Sequence, residues 1–154
     1  MIRLLDLVPH PEGGHYREFY RSALRVTPAD GCAERDALTS IYYLLRRGEV
    51  SRLHRVTSDE VWHFYEGGVI ELISVSEDFR VVTRTRLGSL DARAVRTAVV
   101  PAGHWQAAVP LEHFALVGCT VGPGFDFADF TMLRDDPAAT ALLEEREPGL
   151  RELV

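Results

Sequence analysis

The sequence predicts an all-β protein, a sandwich or barrel of short strands, with a helical tail only at its C-terminal end. Two observations lead there: short runs rich in β-branched and aromatic residues recur along most of the chain, and turn formers separate them. A third sets the scale, because 154 residues with 46% hydrophobic content, twelve glycines and eight prolines make about one domain with one core.

Taken in order, "REFYRSAL" at 17–24 is the first strand, with Arg17 and Arg21 alternating with aromatic residues, and "PADG" ends it. "LTSIYYLLR" at 38–46 follows and turns at "RRGE"; "VWHFY" at 61–65 turns at "EGG"; "VIELISV" at 69–75 turns at "SEDF". "RVVTRTRL" at 80–87, "RTAVVP" at 96–101 before the turn "PAGH", and "HFALVGCTV" at 113–121 complete the set. The end, "DPAATALLEEREPGLRELV" at 136–154, reads as helix, with Asp135 or Asp136 as cap and "EPG" as a break. No internal repeat, low-complexity tract or linker interrupts this pattern, so the chain reads as one closed β domain over 1–154, with a barrel core at about 13–131.

Composition excludes several functions. Seventeen basic against 23 acidic residues without a basic cluster argue against a nucleic-acid surface. No apolar run approaches a membrane span, and "MIRLLDLVPHPEGG" carries neither a basic leader nor a small-residue cleavage site, so the expectation is a cytoplasmic protein with a small-molecule partner. Cys32 and Cys119 make no disulfide framework and read as ordinary thiols. The chain has no lysine, which removes lysine Schiff-base chemistry; it has no asparagine, and its only glutamine is Gln106.

The stretch "SRLHRVTSDEVWHFYEGG" at 51–68 gathers histidines, carboxylates and aromatics. Counted from Gly48, its spacing is G-x5-H-x-V-x3-E-x6-G through His54, Val56, Glu60 and Gly67. This resembles the first motif of the cupins, with Val56 in place of the second histidine. "PAGHWQ" resembles the core of the second cupin motif, with Pro101 and Gly103 in register and Gln106 at the position of the last histidine; the glycine and asparagine that flank that motif are absent. With "LVPHPEGGHYREFYRS", "TSIYYLL" and "LVGCTVGPGFDFADF", most of the chain is similar to the small single-domain cupins of the fifth cupin family. The resemblance implies a double-stranded β-helix (a cupin jelly-roll barrel) around a pocket, usually as a homodimer, with no settled activity.

Side chains on a barrel strand alternate between pocket and exterior. With His54 and Glu60 placed inside by the motif, Trp62 and Phe64 share the face of Glu60, and His63 lies opposite. His104 and Gln106 share parity, so the expected pocket sets His54, Glu60, His104 and Gln106 within a wall of Trp62, Phe64, Trp105 and Tyr43. Arg17 and Arg21 would bind a substrate anion if their strand faces the pocket. His10 and His15, in "PHPEGGHY", read as loop contacts, and "PGFDFADF" as a clamp closing one end of the barrel.

Three functions stay open. An acid–base enzyme would use His54 as base, Glu60 as its orienting partner, Tyr43 or Tyr65 as acid and Gln106 as donor to an enolate oxygen, moving a proton on a sugar or oxo compound. "SRLH" at 51–54 also resembles the stretch around the base histidine of deoxysugar epimerase cupins, which need no metal. A mononuclear dioxygenase or decarboxylase would hold one divalent transition metal with His54, Glu60, His104 and Gln106, although an amide is a poor ligand. A non-catalytic binding module would keep the pocket alone.

Overall fold

A computed structural model describes residues 1–28, 33–90 and 94–154. The turn expected at 28–31 falls partly, and Cys32 wholly, outside the described residues. The strands are β1 (Val8–Pro9), β2 (His15–Arg21), β3 (Arg25–Val26), β4 (Arg35–Asp36), β5 (Thr39–Arg46), β6 (Ser51–Val56), β7 (Asp59–Gly67), β8 (Ile70–Val75), β9 (Val82–Leu87), β10 (Thr97–Val100), β11 (Trp105–Pro110), β12 (Phe114–Gly122) and β13 (Phe130–Met132). They pair antiparallel into a six-stranded sheet ordered β1-β2-β5-β12-β7-β10 and a five-stranded sheet ordered β13-β6-β11-β8-β9, with β3-β4 as a separate ribbon. This is the all-β jelly roll that the strand pattern and motifs foretold.

Alternation divides the apolar residues into two larger cores and a smaller one, Leu7, Leu44 and Leu116, on the outer face of the six-stranded sheet. Tyr43, Leu45, Trp62, Phe64, Leu72 and Val117 point into the space between the sheets and fill it. The opposite face of the five-stranded sheet carries Leu53, Ile73 and Trp105, and the tail covers them with Leu133, Leu143 and Leu150. The tail is helix α1 (Pro137–Arg146) followed by a 3-10 segment, Pro148–Leu153. Asp136 caps it by accepting from the Ala139 N–H at 3.0 Å.

Two corrections concern elements. The sequence reading lists no strand over 51–56 or 105–110, yet β6 and β11 pair with each other and hold both motifs, with Gln106 opposite His54. Trp105, expected in the pocket wall, points to the outer core, where it stacks on Phe79 at 6.2 Å under the tail.

Candidate functional site

A cavity of about 500 Å³ opens at one end of the barrel. His54, Glu60 and Tyr43 line it, together with Val56, which stands where a cupin ligand histidine would. Trp62 and Phe64 face the same way but lie deeper, in the core beneath the cavity. Tyr43 links the two, edge-to-face with Trp62 at 6.0 Å.

The residue that sequence reasoning missed is Glu12. It sits in the β1–β2 hairpin, whose Gly13 and Gly14 adopt φ +115° and +67°, a region open to glycine at little cost. Close approach adds to the requirement: a Cβ on Gly13 would stand 2.1 Å from the Val50 carbonyl oxygen, and one on Gly14 2.7 Å from that of Leu44. The Arg52 N–H donates to the Glu12 carbonyl at 2.9 Å, so the hairpin is stitched to the start of β6. This docking carries the Glu12 side chain, 6% exposed, into the cavity.

There Glu12 meets His54. Glu12 Oε2 lies 3.1 Å from His54 Nε2, and Ser51 Oγ donates to Glu12 Oε1 at 2.9 Å. His54 Nδ1 stands 2.8 Å from the Arg52 carbonyl oxygen. A carbonyl only accepts, so Nδ1 carries a hydrogen. Nε2 is left facing the Glu12 carboxyl at ion-pair distance. His10 adds its Nδ1 at 3.4 Å from Glu12 Oε2; burial lowers its proton affinity despite the neighbouring carboxylate, which favours the neutral ring. His10 Nδ1 also accepts from the Glu12 backbone N–H at 3.4 Å, the loop contact expected of it, while its ring lines the cavity.

Glu60 belongs to a second network. Trp62 Nε1–H can only donate, and does so to Gln106 Oε1 at 3.1 Å; this fixes the amide so that Gln106 Nε2 donates to Glu60 Oε2 at 2.6 Å. Burial raises the proton affinity of Glu60, opposed by the His54 charge and the Gln106 amide. Gln106 itself is fully buried and does not line the cavity. Its expected role as donor to an enolate therefore gives way to holding Glu60, and Glu60's role as orienting partner of His54 passes to Glu12, at ion-pair distance.

Other expected site residues lie elsewhere. Arg17 is on the outer face of the six-stranded sheet, 3.5 Å from Asp6 and over the Tyr42 ring. Tyr65 is on that face too, 44% exposed. Tyr43 donates its O–H to the Gly13 carbonyl at 2.8 Å, and burial pushes its ionisation well up, so it holds the hairpin and is a poor acid. The clamp "PGFDFADF" sits at the cavity mouth, with Phe125, Asp126 and Phe127 among its walls.

The metal set expected at His54, Glu60, His104 and Gln106 is not assembled. Both nitrogens of His54 are engaged, Glu60 and Gln106 bond each other, and His104 pairs its Nδ1 with Ser74 Oγ at 3.1 Å away from the cavity lining. Among the described residues no three His, Cys, Asp or Glu side chains are placed to hold a metal ion. The donors present do not fit a transition metal.

Comparison with known proteins agrees with the sheet order and motifs. The family model of Cupin_5, described as "Cupin superfamily (DUF985)", matches residues 1–133. A solved structure of a protein from Shewanella oneidensis is 36% identical, with a TM-score of 0.84, covering 99% of this chain and 93% of that one. A hypothetical protein from Leishmania major is 32% identical with a TM-score of 0.87, covering 99% and 96%. An uncharacterized protein of Saccharomyces cerevisiae is 29% identical, over 88% of this chain and 75% of its own length.

Proposed function

Because the chain belongs to the Cupin_5 family of the cupin superfamily, whose barrels enclose a pocket, we propose that its cavity moves a proton on a small oxygenated molecule, a sugar or oxo compound, in an isomerase, epimerase or cyclase sense. The observation that carries this reading is the 3.1 Å approach of His54 Nε2 to Glu12 Oε2, both buried, with His54 Nδ1 tied to the Arg52 carbonyl. A carboxylate base held against a buried histidine whose tautomer is fixed is arranged for general acid–base work.

In this mechanism the C–H bond next to a substrate carbonyl breaks. Its proton passes to the Glu12 carboxylate and its electron pair moves into the enolate, whose negative charge the His54 imidazolium stabilises. Glu60, disposed by burial to keep its proton, supplies the second proton position, so that two carboxyls in different environments share the acid and base roles. Ser51 holds the Glu12 carboxyl and His10 accepts from its backbone N–H, while Trp62 and Gln106 hold Glu60.

The test is deuterium wash-in. A panel of ketoses, aldoses and small oxo compounds is incubated with the protein in D₂O, and loss of the α-proton signal is followed by NMR. Exchange by the wild type that falls at least a hundredfold in Glu12→Gln and in His54→Asn is the expected result, general acid–base catalysis being worth roughly 10²–10⁴-fold. Exchange that survives both substitutions would remove the proposal, and a ligand bound without exchange would leave a binding module.

A further inference from the structure

The cavity has an arginine in its wall and no means of using it on an anion. Arg21 reaches the mouth from β2 and is, among the described residues, the one arginine lining the cavity; the chain contains no lysine. A guanidinium offers five N–H groups, and here each is taken. Nε and Nη2 donate to the two Glu18 oxygens at 2.8 and 2.7 Å, Nη1 donates to Asp36 at 2.7 Å, and Nη1 and Nη2 both reach the Phe125 carbonyl at 3.3 Å. A substrate carboxylate or phosphate entering the mouth would meet Glu18 and Asp126 with no free fork to pair with. The histidine inside, His54, already faces Glu12 at 3.1 Å.

What the wall does offer is acidic and aromatic. Glu18, Glu60 and Asp126 line the cavity, and Phe125, Phe127 and Phe130 ring its mouth at 5.0–6.0 Å from one another. The aromatic rim and Asp126, the one of these three carboxyls neither paired with Arg21 nor disposed by burial to keep its proton, attract a positive group and repel a negative one.

We infer that this cavity selects its substrate by charge: it takes an ammonium-bearing oxygenated molecule in preference to the uncharged isostere and excludes the corresponding carboxylate. The inference rests on the proton-transfer reading for its location and narrows the substrate class within it.

Three molecules of nearly one shape test it: choline, 3,3-dimethyl-1-butanol and 3,3-dimethylbutanoate, titrated into the protein at low ionic strength and followed by aromatic NMR shifts. Choline is expected to saturate at least tenfold more tightly than the alcohol, and the carboxylate not to saturate. Glu18→Gln weakens the grip on Arg21 and removes a mouth charge, so it should lower the choline preference and let the carboxylate bind. Asp126→Asn should lower choline affinity alone, because an asparagine still caps the turn that Asp126 starts by accepting from Ala128 N–H. Equal or tighter binding of the carboxylate to the wild type, no choline saturation, or a choline preference unmoved by Glu18→Gln each overturns the inference. None of these results bears on deuterium wash-in, so exchange that persists while charge selectivity fails leaves the proton-transfer reading standing.

Discussion

Glu60 ties the chemistry of the cavity to the stability of the fold. Its carboxyl, raised chiefly by burial, keeps its proton in the folded chain to a higher pH than in the unfolded chain, where the ordinary value is 4.5. The unfolded state therefore releases its proton first as pH rises. Stability from this group is fully present below that ordinary value and is lost as pH climbs through the raised one, at about 1.4 kcal/mol for each tenfold difference in proton affinity. Glu60→Gln keeps an acceptor for the Gln106 amide and removes the titration. The melting temperature of the wild type should thus fall relative to the variant as pH rises across this window; a difference that stays flat would contradict the assignment. Cys119 completes the picture at this scale. Burial first, and Glu60 next, push its thiol well above the usual range, which keeps it an inert wall of the cavity.

Two elements do different work. The β1–β2 hairpin exists to deliver Glu12, and Gly13→Ala would drive a methyl into the Val50 carbonyl and lift the carboxylate from His54. Trp105 on β11 faces the tail, so Trp105→Ala should cost roughly 3–5 kcal/mol of stability while leaving the cavity intact. Calorimetry paired with deuterium wash-in separates them: exchange lost with modest destabilisation in Gly13→Ala, exchange kept with large destabilisation in Trp105→Ala. The reverse pattern would mean that the hairpin is only structural. The same elements show what could be read in advance. Strands such as β5 and β12 announce themselves through Ile, Leu, Val and Tyr. β6 does not, because "SRLHRV" is polar where it faces the cavity and was recognisable only through motif spacing. Glu12 was hidden for a different reason: its contact with His54 spans a loop and a strand far apart in sequence, and only the two glycines beside it hint at tight docking. Trp105 and His104 were misplaced because parity says that two residues share or oppose a face, and does not say which face the tail will cover.

At the scale of the molecule, the barrel joins two cores that meet at the five-stranded sheet and leaves one end open. Packing between the sheets sets the floor of the cavity at Trp62 and Tyr43; the tail stiffens β6 and β11 from outside; the hairpin and the "PGFDFADF" segment close in from the rim. All of these converge on the buried pair His54 and Glu12. Nitrogen-15 NMR of the histidine rings, in the wild type and in Glu12→Gln, reads the protonation of that pair directly. The account expects His54 Nδ1 to be protonated in both, and the Nε2 resonance to move markedly when the carboxylate is replaced. An unprotonated Nδ1, or an Nε2 signal indifferent to Glu12, would contradict it.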